Sequence, residues 1–222
     1  PLTDERVREP ILRMARANGI EVRDVFQFDA SRQTTRISAN VSGLLGTERI
    51  SLNDNLLNRS SPEAIRAVMG HEMGHYVLNH VYKGLMFISI VIVVMFSFLK
   101  WAFGRAQMRW GDRWGIRDVG DVAGLPLAFG IITVFFLVTG PLLTSYTRVT
   151  EAEADMFGLN AAAEPDGFAQ AALQLSEYRK LDPSPVEEFL FFDHPSGRAR
   201  IYAAMRWKAE HPERYTSSQI RR

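Results

Sequence analysis

The sequence predicts a mostly helical α+β fold with one small β-sheet, interrupted by a two-helix transmembrane hairpin. Three observations carry that reading. Two uncharged apolar runs are separated by a polar connector, three short β-like stretches are bounded by turn residues, and helix-start signatures flank the runs. The 222 residues hold 26 Lys+Arg against 25 Asp+Glu, so the chain lacks the basic excess of a nucleic-acid binder. Cysteine is absent, which excludes disulfides, thiolate metal sites and cysteine nucleophiles and leaves His, Asp and Glu as metal ligands. A 46% hydrophobic share and a mean hydropathy of −0.09 resemble an ordinary soluble globule only because the apolar residues are unevenly spread.

Residues 3–19 are expected to form a helix capped by Thr3, with Val7, Ile11, Leu12 and Ala15 on its apolar face and Asn18-Gly19 at its end. Pro10 marks either a kink or the true start. The stretches 25–28, 35–41 and 49–52 read as strands of a small antiparallel sheet, with turn signals such as Ser42-Gly43 between them. Ser61-Pro62-Glu63 opens the next helix, with Ser61 as N-cap and Pro62 at the first helical position. It is expected to run at least through His80.

Residues 84–99 carry no charge and are bracketed by Lys83 and Lys100; residues 122–147 form a second uncharged run. A membrane span takes roughly 20 apolar residues. The second run suffices by itself, and the first does so with snorkelling lysines and Trp101 at the headgroup level. Two buried core helices are the alternative, but Ile, Val and Phe occur all round each run with no polar face. The connector 100–121 sets Trp101, Trp110 and Trp114 among arginines, as a membrane interface or a solvated loop. A hairpin returns the chain to the side it left. It divides the sequence into 1–83, 84–147 and 148–222, with the first and last parts together on one face of the bilayer. Residues 149–163, 167–179 and 198–209 read as helices, and 181–195 as a loop with an aromatic cluster. The chain opens on Pro-Leu-Thr without a signal peptide, which suggests a fragment of a longer membrane protein.

Residues 71–75 read His-Glu-Met-Gly-His. Two histidines four apart on a helix share a face and can hold one metal ion, while Glu72 reaches a metal-bound water without being a ligand. Zinc suits the pattern: it acidifies its water to a pKa of about 7, and Glu72 takes the proton as the water attacks a carbonyl. The best third ligand is Glu151, in Thr150-Glu-Ala-Glu-Ala-Asp155 just after the second run. Asp155 lies on the same face as Glu151, and Glu153 points elsewhere. A solvated acidic helix start is the competing reading. His80 falls too far round the helix for the same metal, and it and His211 read as solvent or interface residues. A di-iron site would need a second Glu-x-x-His that the chain lacks. Glu63 and Arg66 keep the motif outside a span.

His71-Glu-x-x-His75, the apolar hairpin, Arg148-x-x-Glu151-x-x-Ala154-Asp155, and His194-Pro195 followed by Arg200-Ile201 together resemble the M48 family of membrane zinc metalloproteases, which includes Ste24-type CAAX prenyl proteases and HtpX-like enzymes. The resemblance covers nearly the whole chain. It implies a zincin-like metalloprotease domain with one zinc ion per chain, held by His71, His75 and Glu151 rather than Glu153. It implies that Asp155 orients a ligand histidine and that His194 steadies the substrate carbonyl. Arg148 and Arg200 become structural partners of acids. Asn40 matches a family asparagine on the strand near the site, so Asn40 and Val41 are expected to touch substrate, which would add as a strand beside 35–41.

Three departures stand out: Val41 follows Asn40 where the family commonly has Ala, Ser196-Gly197 follows His194-Pro195 where it often has a second Pro, and the usual N-terminal membrane helices are missing. The implied partners are a membrane-associated or lipidated peptide or protein and the lipid bilayer, with no nucleic acid. A multi-pass membrane location follows, with the catalytic side in the cytoplasm, although the arginines of the connector count mildly for the opposite orientation. An inactive scaffold that keeps the fold is the alternative function.

Overall fold

The computed structural model describes residues 1–43, 47–175, 177 and 180–215. Helix α1 (Glu5–Ala17) is capped by Asp4, whose carboxylate accepts the Arg6 N–H at 3.0 Å. The cap is therefore one residue later than Thr3; an ionised acceptor also suits the positive end of the helix dipole. Pro10 lies inside α1 and interrupts nothing but its own missing hydrogen bond. Val7, Ile11, Leu12, Met14 and Ala15 are buried, in one core with the sheet and the next long helix.

Strands β1 (Val25–Phe28), β2 (Ala39–Ser42) and β3 (Arg49–Asn53) form one sheet in the order β1-β3-β2. β2 runs antiparallel to β3, with Asn40 opposite Ser51, but β1 runs parallel to it, with Val25 opposite Ile50. The expected antiparallel sheet is thus mixed. The reason lies in residues 29–38, which cross the end of the sheet instead of turning back as a hairpin. Asp54 accepts the Ala30 and Ser31 N–H groups at 2.9 and 3.1 Å. The fully buried Asn53 accepts Ser38 N–H at 3.0 Å and donates to the Arg36 carbonyl at 2.7 Å. The strand expected over 35–41 becomes regular only at Ala39, because its first part is held by a side chain rather than by a neighbouring strand. Asn53 also caps a short helix, α2 (Asp54–Arg59), through its bond from Leu56 N–H.

Helix α3 (Pro62–Val77) starts as the sequence predicts, with Ser61 Oγ accepting Ala64 N–H. It does not continue through His80. Asn79 takes a left-handed conformation (φ 58°), and a new helix, α4 (His80–Trp114), begins after it. Asparagine is among the few residues that adopt this conformation readily. α4 extends well past the apolar run and ends at Gly115 (φ 67°), so the first two-thirds of the connector 100–121 is helical. A 3₁₀ turn (Val122–Gly124) leads into α5 (Leu125–Ala162), a continuous helix with Pro141 inside it. The separate helix expected over 149–163 is the end of α5.

α4 and α5 are long and apolar enough to cross a membrane. Side chains such as Leu85 (58%), Phe96 (58%) and Leu137 (76%) are exposed, and none of the most apolar stretch of α4 is buried. That removes the reading as two buried core helices. Phe87 stacks on Tyr146 at 4.1 Å and Phe98 lies 5.7 Å from Phe135, joining the two helices side by side.

Helix α6 (Pro165–Leu175) follows; its expected end at 179 lies outside the described residues. Helix α7 (Pro185–Phe191) stands in the expected loop 181–195, started by a reciprocal capping box between Ser184 and Glu187. Helix α8 (Gly197–Glu210) closes the fold. Ala67, Leu159, Phe168, Ala204 and Trp207 form a second core joining α3, α5, α6 and α8. Glycines let α3 and α5 approach closely: a Cβ on Gly158 would lie 2.7 Å from His71 N, and one on Gly74 would lie 3.1 Å from Ala154 Cα.

Candidate metal centre

His71 and His75 lie one turn apart on α3 and Glu151 lies on α5, so the close α3–α5 crossing brings them together. His71 Nε2 stands 3.1 Å from His75 Nε2 and 3.3 Å from Glu151 Oε2, and His75 Nε2 stands 3.4 Å from Glu151 Oε1. These three residues are a group that could hold a metal ion. Ligands about 2.0–2.2 Å from one ion in tetrahedral geometry are roughly 3.3–3.6 Å apart, close to the spacing found here. Glu151 Oε2 is buried and accepts no hydrogen bond from the described residues. An orphaned carboxylate oxygen facing two imidazole nitrogens fits a cation, and a His, His, Glu donor set fits zinc.

The supporting groups are specific. His71 Nδ1 lies 2.7 Å from Asp155 Oδ1, and Arg200 grips the same carboxylate with Nε and Nη2 at 2.8 and 2.5 Å. Asp155 and the Arg200 side chain are almost fully buried. The fork satisfies both oxygens and leaves the His71 ring one orientation. Burial alone would lower the His71 imidazole, but the Asp155 and Glu151 carboxylates outweigh it and raise it to about 9. Glu72 is pushed above the usual carboxylate range by burial, and the nearby His71 and His75 only partly offset this. A raised carboxylate suits proton acceptance near neutrality.

His194 Nε2 lies 3.3 Å from Glu151 Oε2, and its Nδ1 lies 2.9 Å from Asp193 Oδ1. It sits in the short link between α7 and α8. Arg148 holds that link. Its Nη1 donates to the carbonyls of Glu188 (3.0 Å) and Phe192 (2.5 Å), and its Nη2 donates to Ser145 Oγ (2.6 Å). The acid expected as its partner is replaced by backbone oxygens. Arg200 has its acid, Asp155.

A cavity of about 200 Å³ opens onto His71, Glu72, Glu151 and His194. Ala67, Val68, Phe168 and Ala172 give it an apolar side, and Ile37, Ser38 and Ala39 form another wall. β2 is an edge strand of the sheet. Asn40, next along it, is exposed, and Val41 packs against the core. The cavity wall thus falls one to three residues before the pair expected from the sequence, because that segment is anchored on Asn53.

His80 departs most from expectation. It is buried, with Nδ1 2.9 Å from His75 Nδ1 and Nε2 3.0 Å from Glu153 Oε2. The break at Asn79 carries it there; the signal available in the sequence was the asparagine itself. Glu153, which turns away from the ligand cluster, faces His80 instead. His211 accepts no such part: its ring stacks on Trp207 at 4.7 Å.

The chain matches Peptidase family M48 over residues 1–208. It belongs to that family. Among curated relatives of this M48 chain, it is 28% identical over 206 residues to the uncharacterized metalloprotease YhfN of Bacillus subtilis, covering 92% of the chain and 48% of the relative. It is 27% identical over 207 residues to the CAAX prenyl protease 1 homolog of Oryza sativa subsp. japonica, covering 91% and 48%. The chain therefore spans about half the length of these curated relatives. The crystal structure of S. mikatae Ste24p superposes with a TM-score of 0.72 at 20% identity, over 92% of this chain and 50% of that one. At that identity the likeness is one of fold. It supports the α+β domain interrupted by an apolar hairpin.

Proposed function

We propose that this M48 chain carries the active site of a membrane-bound zinc-dependent metalloendopeptidase. The observation that carries the reading is the meeting of His71, His75 and the orphaned Glu151 oxygen at ligand spacing, beside a cavity that also opens onto Glu72. His71, His75 and Glu151 would hold one zinc ion. When bound, zinc supplies a Lewis acid that acidifies water and polarises a carbonyl. Glu72 accepts the proton of the attacking water and passes it to the leaving amine. His194 donates toward the substrate carbonyl oxygen as negative charge develops there. Asp155, clamped by Arg200, holds His71, while Arg148 holds the link that carries His194. Substrate main chain would lie along the edge strand, with Ile37–Ala39 against the cavity and Asn40 and Val41 farther along.

Residues 1–83 and 148–222 would form the two parts of the catalytic unit, and 84–147 its hairpin in the bilayer. A multi-pass protein with the site at the cytoplasmic surface and a membrane-associated or lipidated peptide as substrate accords with relatives named CAAX prenyl proteases. The test uses the detergent-solubilised protein. Metal analysis is expected to give about one zinc per chain, and cleavage of a labelled peptide to stop with a chelator and return with zinc. Zinc without cleavage of prenylated or unprenylated peptides would favour an inactive scaffold.

A further inference from the structure

His80 belongs to no part of the zinc motif, yet it is buried in line with it. On an unbroken helix a residue five positions on from His75 would point roughly 140° away. The left-handed turn at Asn79 instead sets the two rings edge to face, with centroids 5.0 Å apart at 74°. Glu153 closes the far side, and its side chain is half exposed.

The hydrogen-bonding capacity of these groups allows one consistent arrangement. A neutral His75 that turns Nε2 toward the ligand cluster must carry its proton on Nδ1. The atom facing that N–H is His80 Nδ1, at 2.9 Å, which can accept only if His80 carries its own proton on Nε2. His80 Nε2 faces Glu153 Oε2 at 3.0 Å, and a carboxylate is purely an acceptor. Every donor in the series then has an acceptor, and His75 Nε2 is left with its lone pair toward Glu151 and His71.

We propose that His80, anchored by Glu153, is a positioning residue that fixes the tautomer and ring orientation of His75 as a metal ligand. The proposal rests on the ligand reading above. It gives each histidine its own support: His71 takes a carboxylate directly from Asp155, and His75 takes one through an intervening imidazole. His80 is also the first residue of α4 and Glu153 lies on α5, so both hairpin helices meet at this one ligand.

The test is zinc affinity by chelator competition on the solubilised protein, with the absorption spectrum of the cobalt-substituted form as a second readout. His80→Phe fills the volume without polar atoms; His80→Gln restores one acceptor and one donor. Loss of an outer partner of a ligand histidine typically costs 10–100-fold in metal affinity. His80→Phe is expected to weaken zinc by about that factor and to shift the cobalt spectrum, with His80→Gln recovering most of both. Glu153→Ala, a change at a half-exposed side chain that leaves folding intact, is expected to weaken zinc several-fold, and Glu153→Gln less. Wild-type affinity and spectrum in both His80→Phe and Glu153→Ala would overturn the relay while leaving the ligand set standing. Failure of the wild-type chain itself to bind zinc would overturn the ligand set and the relay with it.

Discussion

A Cβ atom built on Gly158 would lie 2.7 Å from the backbone nitrogen of His71. The helix that bears Glu151 and the helix that bears both histidines therefore meet backbone to backbone at the first ligand. Overpacking a tight contact costs about 1–3 kcal/mol. Gly158→Ala is expected to lower unfolding stability by about that amount and also to reduce zinc retained after gel filtration, because the strain falls on His71. Wild-type zinc content alongside wild-type stability would show that the helices can part there without consequence.

Glu151 is the ligand whose removal separates the metal centre from a mere cluster of polar groups. Its ion-pair contacts among the described residues are with the rings of His71, His75 and His194, all within the site. Glu151→Ala should keep the fold, read by circular dichroism, and lose the bound metal, read by elemental analysis. A full equivalent of zinc in that variant would move the third ligand elsewhere.

Glu72 predicts the converse pattern. An amide has the same shape but cannot accept the proton, so Glu72→Gln is expected to keep zinc and to cleave at least about 100-fold more slowly, the lower end of what proton transfer contributes. Undiminished turnover would remove Glu72 from the reaction.

How much of this was legible beforehand follows from the range of each interaction. The His71–His75 spacing, the Ser61 cap and the apolar runs are local patterns, and the structure has them where the sequence puts them. The Ser184-Pro185-x-Glu187 start of α7 is equally local, but the aromatic residues after it suggested a loop. The parallel pairing of β1 with β3 depends on Asn53 and Asp54 catching residues 30–38, contacts that no strand pattern encodes. A continuous helix misplaces His80 because one residue, Asn79, leaves the helical conformation, and beyond that point faces counted from α3 no longer apply. The glycines at 70, 74 and 158 carry the close helix crossing as small-residue spacing, a signal overshadowed by the zinc motif, which begins right after Gly70 and contains Gly74.

The two helices of the hairpin join the site by unlike mechanical links. α5 passes from the apolar run through Glu151 and Asp155 without interruption, whereas α4 is separated from the histidine helix by the turn at Asn79. One link is a stiff strut and the other has a joint. Tilting of the hairpin as bilayer thickness changes would therefore turn the carboxylate side of the site with it. The histidine side is not joined to α4 by a continuous helix and follows such a movement through its packing on α5 at Gly74 and Gly158 and through the His75–His80 contact that bridges the joint.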